Sequence, residues 1–261
     1  MNRQQIILLV ISISAVILIF QLPMVVVENE PVSEVSIPHE VSISDEDRVA
    51  FSSLTDLLRK SENTKNSVNF ADSLARLSLK YQLVDSAVYF ASIILEEDSS
   101  ESGRYKAAHI YYRAFQVVDS RAQVEVLAGK ARAIFEELLV ADPENSSLKN
   151  KLAMTLIATD TPMAGVQLLR EVLEADPENR EATFNLGVLA IRSGQYDLAI
   201  ERFSQLISLN SDDDEAIFYL GVAYVESGKN QDAKKTFERL IDQEDADPAL
   251  KATASTYLKD L

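Results

Sequence analysis

The sequence predicts an all-α protein in which pairs of antiparallel helices repeat along the chain. Seven glycines and seven prolines among 261 residues are few for a fold with many tight turns. Both residues weaken helix interiors, so their scarcity favours helices. A second observation is internal repetition, because residue types recur at an offset of 34 positions in the C-terminal half. Hydrophobic residues form 47% of the chain, which is ample for a core shared by stacked units.

The clearest copies of the repeat cover residues 180–213 and 214–247. The matching pairs are Phe184 and Phe218, Leu186 and Leu220, Gly187 and Gly221, Gly194 and Gly228, Ala199 and Ala233, Phe203 and Phe237, and Leu206-Ile207 and Leu240-Ile241. A weaker copy covers 146–179, and Asp-Pro-Glu-Asn recurs at 142–145 and 176–179. Proline in those tetrapeptides ends one helix and starts a turn. Residues 146–247 are therefore predicted to hold three repeats.

These residues resemble the tetratricopeptide repeat. That family has a small residue at the eighth and twentieth positions of its unit. This sequence supplies Gly187 and Gly221 at the eighth position, and Ala199 and Ala233 at the twentieth. Small residues let the two helices of a pair approach closely. The resemblance implies a right-handed superhelix of antiparallel helix pairs, in which the first helix of each pair lines a concave groove.

The resemblance also implies which side chains bind and which pack. The residues expected to line a protein-binding groove are Asn150, Met154, Ile157, Phe184, Val188, Ile191, Arg192, Phe218, Val222, Val225 and Glu226. The residues expected to pack the repeats are Ala153, Gly165, Gly187, Ala199, Phe203, Gly221, Ala233 and Phe237. The groove set is mostly apolar, which favours docking of a partner helix or extended segment. In the alternative interpretation the strip is covered and belongs to the core.

Residues 46–145 carry longer and weaker copies of the helical hairpin. The expected elements are an opening helix at about Asp45 to Ser61, a hairpin from Phe70 to Tyr81 and Val84 to Glu97, and a hairpin with about 11 extra residues from Arg104 to Val118 and Ala122 to Val140. Residues 248–261 are expected to form a helix that caps the stack.

Residues 1–27 predict a transmembrane anchor. Gln4 to Val27 is a run of 24 residues without a charge. At about 1.5 Å per residue it spans roughly 36 Å, which exceeds the ~30 Å hydrocarbon core of a bilayer. A cleaved signal peptide is the alternative, but the run is too long and lacks a small-residue cleavage site.

The charges that flank this run predict its orientation. Arg3 precedes it, whereas residues 28–47 carry seven acids and no Lys or Arg. The positive-inside rule then places the N-terminus in the cytoplasm and the repeats outside, in the periplasm of a Gram-negative cell. Residues 28–45 show no helical period and predict an acidic, disordered linker. Pairing of its short Val-Ser pieces as a strand with a partner is the alternative.

The composition excludes several classes of function. The chain has no cysteine, so thiolate metal sites and cysteine nucleophiles are excluded, and its net charge of -16 disfavours nucleic acid. His109 lies on a helix among aromatic residues and is expected to be a packed or half-exposed residue. The acids of 212–215 lack the spacing of a calcium loop and are expected to cap the following helix. No catalytic, cofactor or metal site is predicted.

A membrane-anchored scaffold that binds another protein or peptide is therefore the leading hypothesis, in envelope assembly, secretion or chaperoning. The acidic balance favours a basic or unfolded client. One alternative is a structural subunit of a larger membrane complex with its repeats permanently buried. The other is an accessory domain in the maturation of exported proteins such as cytochromes. The sequence leaves the oligomeric state open.

Overall fold

The computed structural model describes residues 43–261, which form twelve α-helices within that range. The helices are α1 (Asp45–Arg59), α2 (Thr64–Lys80), α3 (Val84–Glu97), α4 (Glu101–Phe115), α5 (Arg121–Ala141), α6 (Ser146–Ala158), α7 (Pro162–Ala175), α8 (Arg180–Arg192), α9 (Tyr196–Leu209), α10 (Asp214–Glu226), α11 (Asn230–Asp242) and α12 (Pro248–Asp260). The predicted anchor and nearly all of the predicted linker lie outside the described residues. None of the helices between 43 and 261 is both long and apolar enough to cross a bilayer.

The helices pack as five consecutive pairs between α1 and α12. Each first helix, from α2 to α10, packs against the second helix that follows it, and each second helix packs against the next first helix. First helices of neighbouring pairs also contact each other, at α2–α4, α6–α8 and α8–α10. The first helices therefore form a layer in two parts, α2 with α4 and α6 with α8 and α10, joined mainly through α5, and we call their solvent-facing side the inner face.

A capping side chain precedes each of the last three first helices and the final helix, at a constant spacing along the chain. Asn145, Asn179, Asp213 and Asp247 precede α6, α8, α10 and α12, and each side chain accepts a backbone N–H bond from the first turn of its helix. Such caps satisfy donors that a helix leaves unpaired at its start. The two asparagines end the repeated Asp-Pro-Glu-Asn tetrapeptides, so these tetrapeptides mark where one pair ends and the next begins.

The turns inside the pairs require a left-handed residue. Gly194 and Gly228 have φ of 73° and 74°. At the first of these turns, Gln195 N–H donates to the Ala190 carbonyl at 2.8 Å, a bond that closes the helix end. The turn between α2 and α3 uses the same geometry without glycine, since Gln82 has a φ of 56°.

The two helices of a pair cross where a glycine meets an aromatic ring. A methyl group on Gly187 would lie 2.7 Å from the Cζ atom of Phe203, and one on Gly221 would overlap the ring of Phe237. Gly165 of the weaker copy is equally crowded, because a methyl group there would meet the Ala153 carbonyl and the Ile157 side chain. The other predicted packing residues, Ala153, Ala199 and Ala233, are fully buried, as are both phenylalanines. The glycines of the two clear repeats thus have equivalent surroundings.

The N-terminal pairs differ from their expected bounds. Helix α2 begins at Thr64 instead of Phe70, because Asn63 caps it through the N–H of Asn66 at 3.2 Å. Helix α4 begins at Glu101 instead of Arg104, because Ser100 caps it. The extra residues of this pair lengthen α5 to 21 residues, against 14 for α7 and α9.

Candidate functional site

The residues predicted to line the groove lie on α6, α8 and α10 with three different degrees of burial. Half-buried side chains are Met154, Ile157, Phe184, Val188, Ile191, Val222 and Val225, exposed ones are Arg192 and Glu226, and buried ones are Asn150 and Phe218. The half-buried set forms one strip across the three helices, which we call the apolar strip. Its members contact the core on one side and solvent on the other, a state between the two interpretations that the sequence left open.

Phe184 shows how the apolar strip is held. Its ring packs edge-on against Phe203 at 5.7 Å and against Tyr219 at 5.1 Å between centroids. The guanidinium of Arg180 lies over the same ring, 5.3 Å from its centroid. Val188 and Ile191 pack against the same core cluster as Phe203. These contacts fix the side chains in place, so a partner would meet a preformed surface.

Two residues of the predicted groove set, Asn150 and Phe218, are buried, as in the alternative interpretation that the sequence left open. Phe218 is 9% exposed, because Tyr257 of α12 lies 6.1 Å away and helps to cover it. Asn150 is 1% exposed and donates through Nδ2 to Asn179 at 3.1 Å and to Glu181 at 3.4 Å. Asn150 therefore links neighbouring repeats, and Phe218 belongs to the core under the capping helix.

An aromatic ladder on α4 extends the inner face and was missed by sequence reasoning. Tyr105, His109 and Tyr112 share one side of the helix, with ring centroids 6.1 Å and 6.4 Å apart and nearly parallel planes. Ala108 beside them is fully buried, as Gly187 is in its own helix. The signal that would have found the ladder is the Ser100 cap, from which positions on α4 can be counted as in the later repeats.

The surroundings of Tyr112 and His109 shift the pKa of each side chain. Burial raises the pKa of Tyr112 to about 12. Burial also lowers the pKa of His109, and the positive charges of Lys151, Arg113 and Arg76 lower it further, while Asp72 alone acts in the opposite direction. His109 is half-buried, as the sequence predicts, and its neutral form is favoured.

An ion-pair cluster joins the last two repeats. Arg180 Nε and Nη2 each donate to a carboxylate oxygen of Asp213 at 2.7 Å, and Nη2 also donates to Glu215 at 2.7 Å. Burial alone raises the pKa of Asp213, but the Arg180 bonds and the Ala216 N–H lower it, and the net direction is downward. The hydrogen bonds to Asp213 raise the pKa of Arg180. Asp213 thus caps α10. Between residues 43 and 261, no carboxylates, histidines or cysteines are grouped so as to hold a metal ion.

Comparison with known proteins identifies the repeats. Residues 150–214 and 190–255 match two models of the tetratricopeptide repeat. No curated protein matches the chain.

Several solved structures are similar to this chain. A tetratricopeptide repeat protein from Parabacteroides merdae is similar, with 18% identity, 82% of each chain covered and a TM-score of 0.57. YrrB, described as a TPR protein with an unusual peptide-binding site, has 23% identity over 79% of this chain and 98% of its own, with a TM-score of 0.45. MamA from Desulfovibrio magneticus has 14% identity over 77% and 96%, with a TM-score of 0.45. Residues 150–255 therefore match tetratricopeptide repeats, and the all-helical residues 43–261 have a fold similar to that of the Parabacteroides protein.

Proposed function

We propose that this chain is a membrane-anchored, non-enzymatic scaffold that binds another protein or a peptide along the inner face of its first helices. The observation that carries the proposal is the apolar strip on α6, α8 and α10. Seven apolar side chains are aligned there, each half-buried and held by the core. Apolar surface that neighbouring helices leave uncovered is typical of a helix-in-groove or extended-peptide interface.

The strip is of a size suited to reversible binding. Burying an apolar side chain completely contributes about 1.5–3 kcal/mol, so completing the burial of seven half-buried ones contributes about 5–10 kcal/mol. Association costs an estimated 4–15 kcal/mol in lost freedom. The strip alone therefore supports weak binding, and polar or charged contacts elsewhere on the inner face are needed for a tight complex.

Crosslinking from the apolar strip tests the binding surface. A photo-crosslinking amino acid at Val188 or Val222 is expected to capture one defined partner in cells. The matched control is Glu201 of α9, which is exposed on a second helix. Val188→Glu is expected to abolish capture from Val222, because it places a charge in the strip. Equal capture from Glu201, or none from either strip position, would contradict the proposal.

The membrane part of the proposal is supported by the uncharged run at residues 4–27 and by the acids that follow it. In this arrangement residues 28–42, between the uncharged run and the helical part of the chain, tether the repeats to the bilayer. The repeats then lie outside the cytoplasm, where a scaffold serves envelope assembly, secretion or chaperoning. Alkaline phosphatase fused after residue 261 is expected to be active, because that enzyme matures only outside the cytoplasm. An inactive fusion, or release of the chain by alkaline carbonate, would contradict this placement.

A further inference from the structure

The inner face changes its chemistry from one end to the other. The apolar strip occupies α6, α8 and α10, whereas the equivalent side of α2 and α4 carries cations and the aromatic ladder. Arg76 lies on α2, Lys106 and Arg113 lie on α4, and Lys151 lies at the junction with the strip on α6. The whole chain has a net charge of -16, so a cluster of positive side chains runs against its overall balance.

One contact and the register of the helices place these cations on neighbouring parts of the inner face. Lys106 Nζ donates to Asn69 Oδ1 at 3.2 Å, which joins α4 to α2 across the inner layer. Arg76 and Arg113 lie the same number of residues after the caps Asn63 and Ser100 as Arg192 lies after Asn179, so they occupy equivalent places on the inner side of their helices. We call these four cations and the rings of Tyr105, His109 and Tyr112 the basic patch.

The cations of the basic patch differ in how far they are already neutralised. The side chain of Arg76 is 71% exposed and pairs with Asp72 at 3.0 Å within its own helix, a pair that contributes little at the surface. Lys151 is 11% exposed and lies 3.5 Å from Glu181. Arg113 is exposed and forms no ion pair with another described residue. Arg113 and Arg76 are therefore available to a partner, whereas Lys151 is largely committed to the repeat junction.

We propose that the basic patch binds acidic side chains of the partner, so that the partner is a protein segment in which an acidic stretch adjoins an apolar one. This inference rests on the proposed function and assigns a chemical class to the occupant of the inner face. The acidic stretch lies against α2 and α4, and the apolar stretch lies against the strip on α6, α8 and α10. Arginine favours carboxylates because its planar donors match them in pairs.

Charges close to a bound segment act on it more strongly than charges elsewhere on the chain. Screening limits the reach of surface charges to about 8–10 Å at physiological salt. A segment bound at the inner face therefore meets the charges there first, where Asp72 and Glu181 offset Arg76 and Lys151 in part and Arg113 has no ion pair among the described residues. A long polyanion such as nucleic acid would extend past the patch to the acids on the second helices and be repelled. The client of net basic charge expected from composition is replaced by an acidic one.

Selection from a random peptide library tests the chemical class. A library of displayed 16-residue peptides is passed over the immobilised full-length chain. We expect the retained peptides to carry an excess of Asp and Glu beside an apolar run. Retained peptides that are basic or neutral, with retention lost in Val188→Glu, would overturn this inference and leave the proposed function standing. A library that yields no retained peptide would count against both.

Charge-reversal variants locate the effect on the inner face. Arg76→Glu combined with Arg113→Glu is expected to weaken the selected acidic peptides about tenfold and to improve the retention of basic ones. The control is Arg170→Glu combined with Lys235→Glu, which makes the same change in net charge at exposed sites on the second helices α7 and α11. The control is expected to change affinity less than twofold. Equal losses in the two double variants would refute a specific patch, and thermal melts check that both remain folded.

Discussion

Substituting alanine for Gly187 tests whether the helix crossings hold the repeats together. An added methyl group would lie 2.7 Å from Cζ and 2.9 Å from Cε1 of Phe203, whereas carbon atoms in ordinary contact are about 3.5–4.0 Å apart. The ring would have to move by about 1 Å to restore that spacing. It has no free space for this, because Phe203 is fully buried and flanked by Phe184 and Tyr219.

The expected magnitude is a balance of two effects. Overpacking a filled core costs about 1–3 kcal/mol, and we expect the upper part of that range for an enclosed ring. Alanine in place of glycine gains about 1 kcal/mol in a helix interior. The free energy of unfolding of Gly187→Ala should therefore fall by about 1–2 kcal/mol. For a chain of this size that lowers Tm by about 2–8 °C.

Gly129 provides the matched control, because it also lies inside a helix but nothing approaches its added methyl group within 4 Å. Gly129→Ala is expected to raise Tm by about 2–4 °C through helix propensity alone. Both variants are measured by far-UV circular dichroism on the full-length chain. Phe203→Leu combined with Gly187→Ala should recover part of the loss, because the smaller side chain makes room. If Gly187→Ala stabilises the chain as much as Gly129→Ala does, the crossing is not close-packed and the reasoning fails.

Three further predictions concern backbone strain and ionisation. Gln82→Gly should raise the free energy of unfolding by about 1 kcal/mol, seen as a higher Tm, because Gln82 has a φ of 56° that glycine adopts without strain; an unchanged Tm would argue against strain there. Asp213→Ala should lower the free energy of unfolding by about 2–4 kcal/mol at pH 7, measured by urea unfolding. The substitution removes a helix cap and leaves Arg180 without its buried partner. Since the pKa of Asp213 is lowered in the fold, this stabilisation is present above about pH 4 and is lost as pH falls through the pKa of the folded state. If Asp213→Ala lowered the free energy of unfolding by the same amount down to pH 2, the result would contradict the ion pair. An NMR titration should give His109 a pKa below its usual 6.5. His109 then makes the fold less stable as pH falls below about 6.5, because the unfolded chain binds more protons. Arg113→Glu should raise the pKa of His109, and an unshifted pKa would show that the Arg113 side chain lies elsewhere.

The repeat positions were predictable because each unit has a few positions where close contacts or the backbone conformation strongly favour glycine. Gly187 and Gly221 face rings at 34-residue spacing, and Gly194 has a positive φ that glycine adopts freely. Such constraints act within one pair of helices, so they survive in the sequence as a period. The aromatic ladder was not found this way, because the extra residues lie between the Ser100 cap and the Asn145 cap, so stepping back by one 34-residue period from Asn145 does not reach Ser100. Its register becomes visible only when counted from the Ser100 cap.

Phe184 and Phe218 show that residues at the same position of the repeat can differ in burial. Both occupy the same position of the unit, yet Phe184 is half-buried on the inner face and Phe218 is buried. The difference comes from the neighbour on the C-terminal side, which is another repeat for Phe184 and the capping helix for Phe218. Tyr257 of that helix stacks on Phe237 at 5.2 Å and approaches Phe218 edge-on. A terminal unit must bury a face that an internal unit shares with its neighbour. A binding surface on repeats therefore has to be assigned from the surroundings of each unit. The apolar strip ends at Val222 and Val225, because α10 is the last first helix and α12 packs against its C-terminal side.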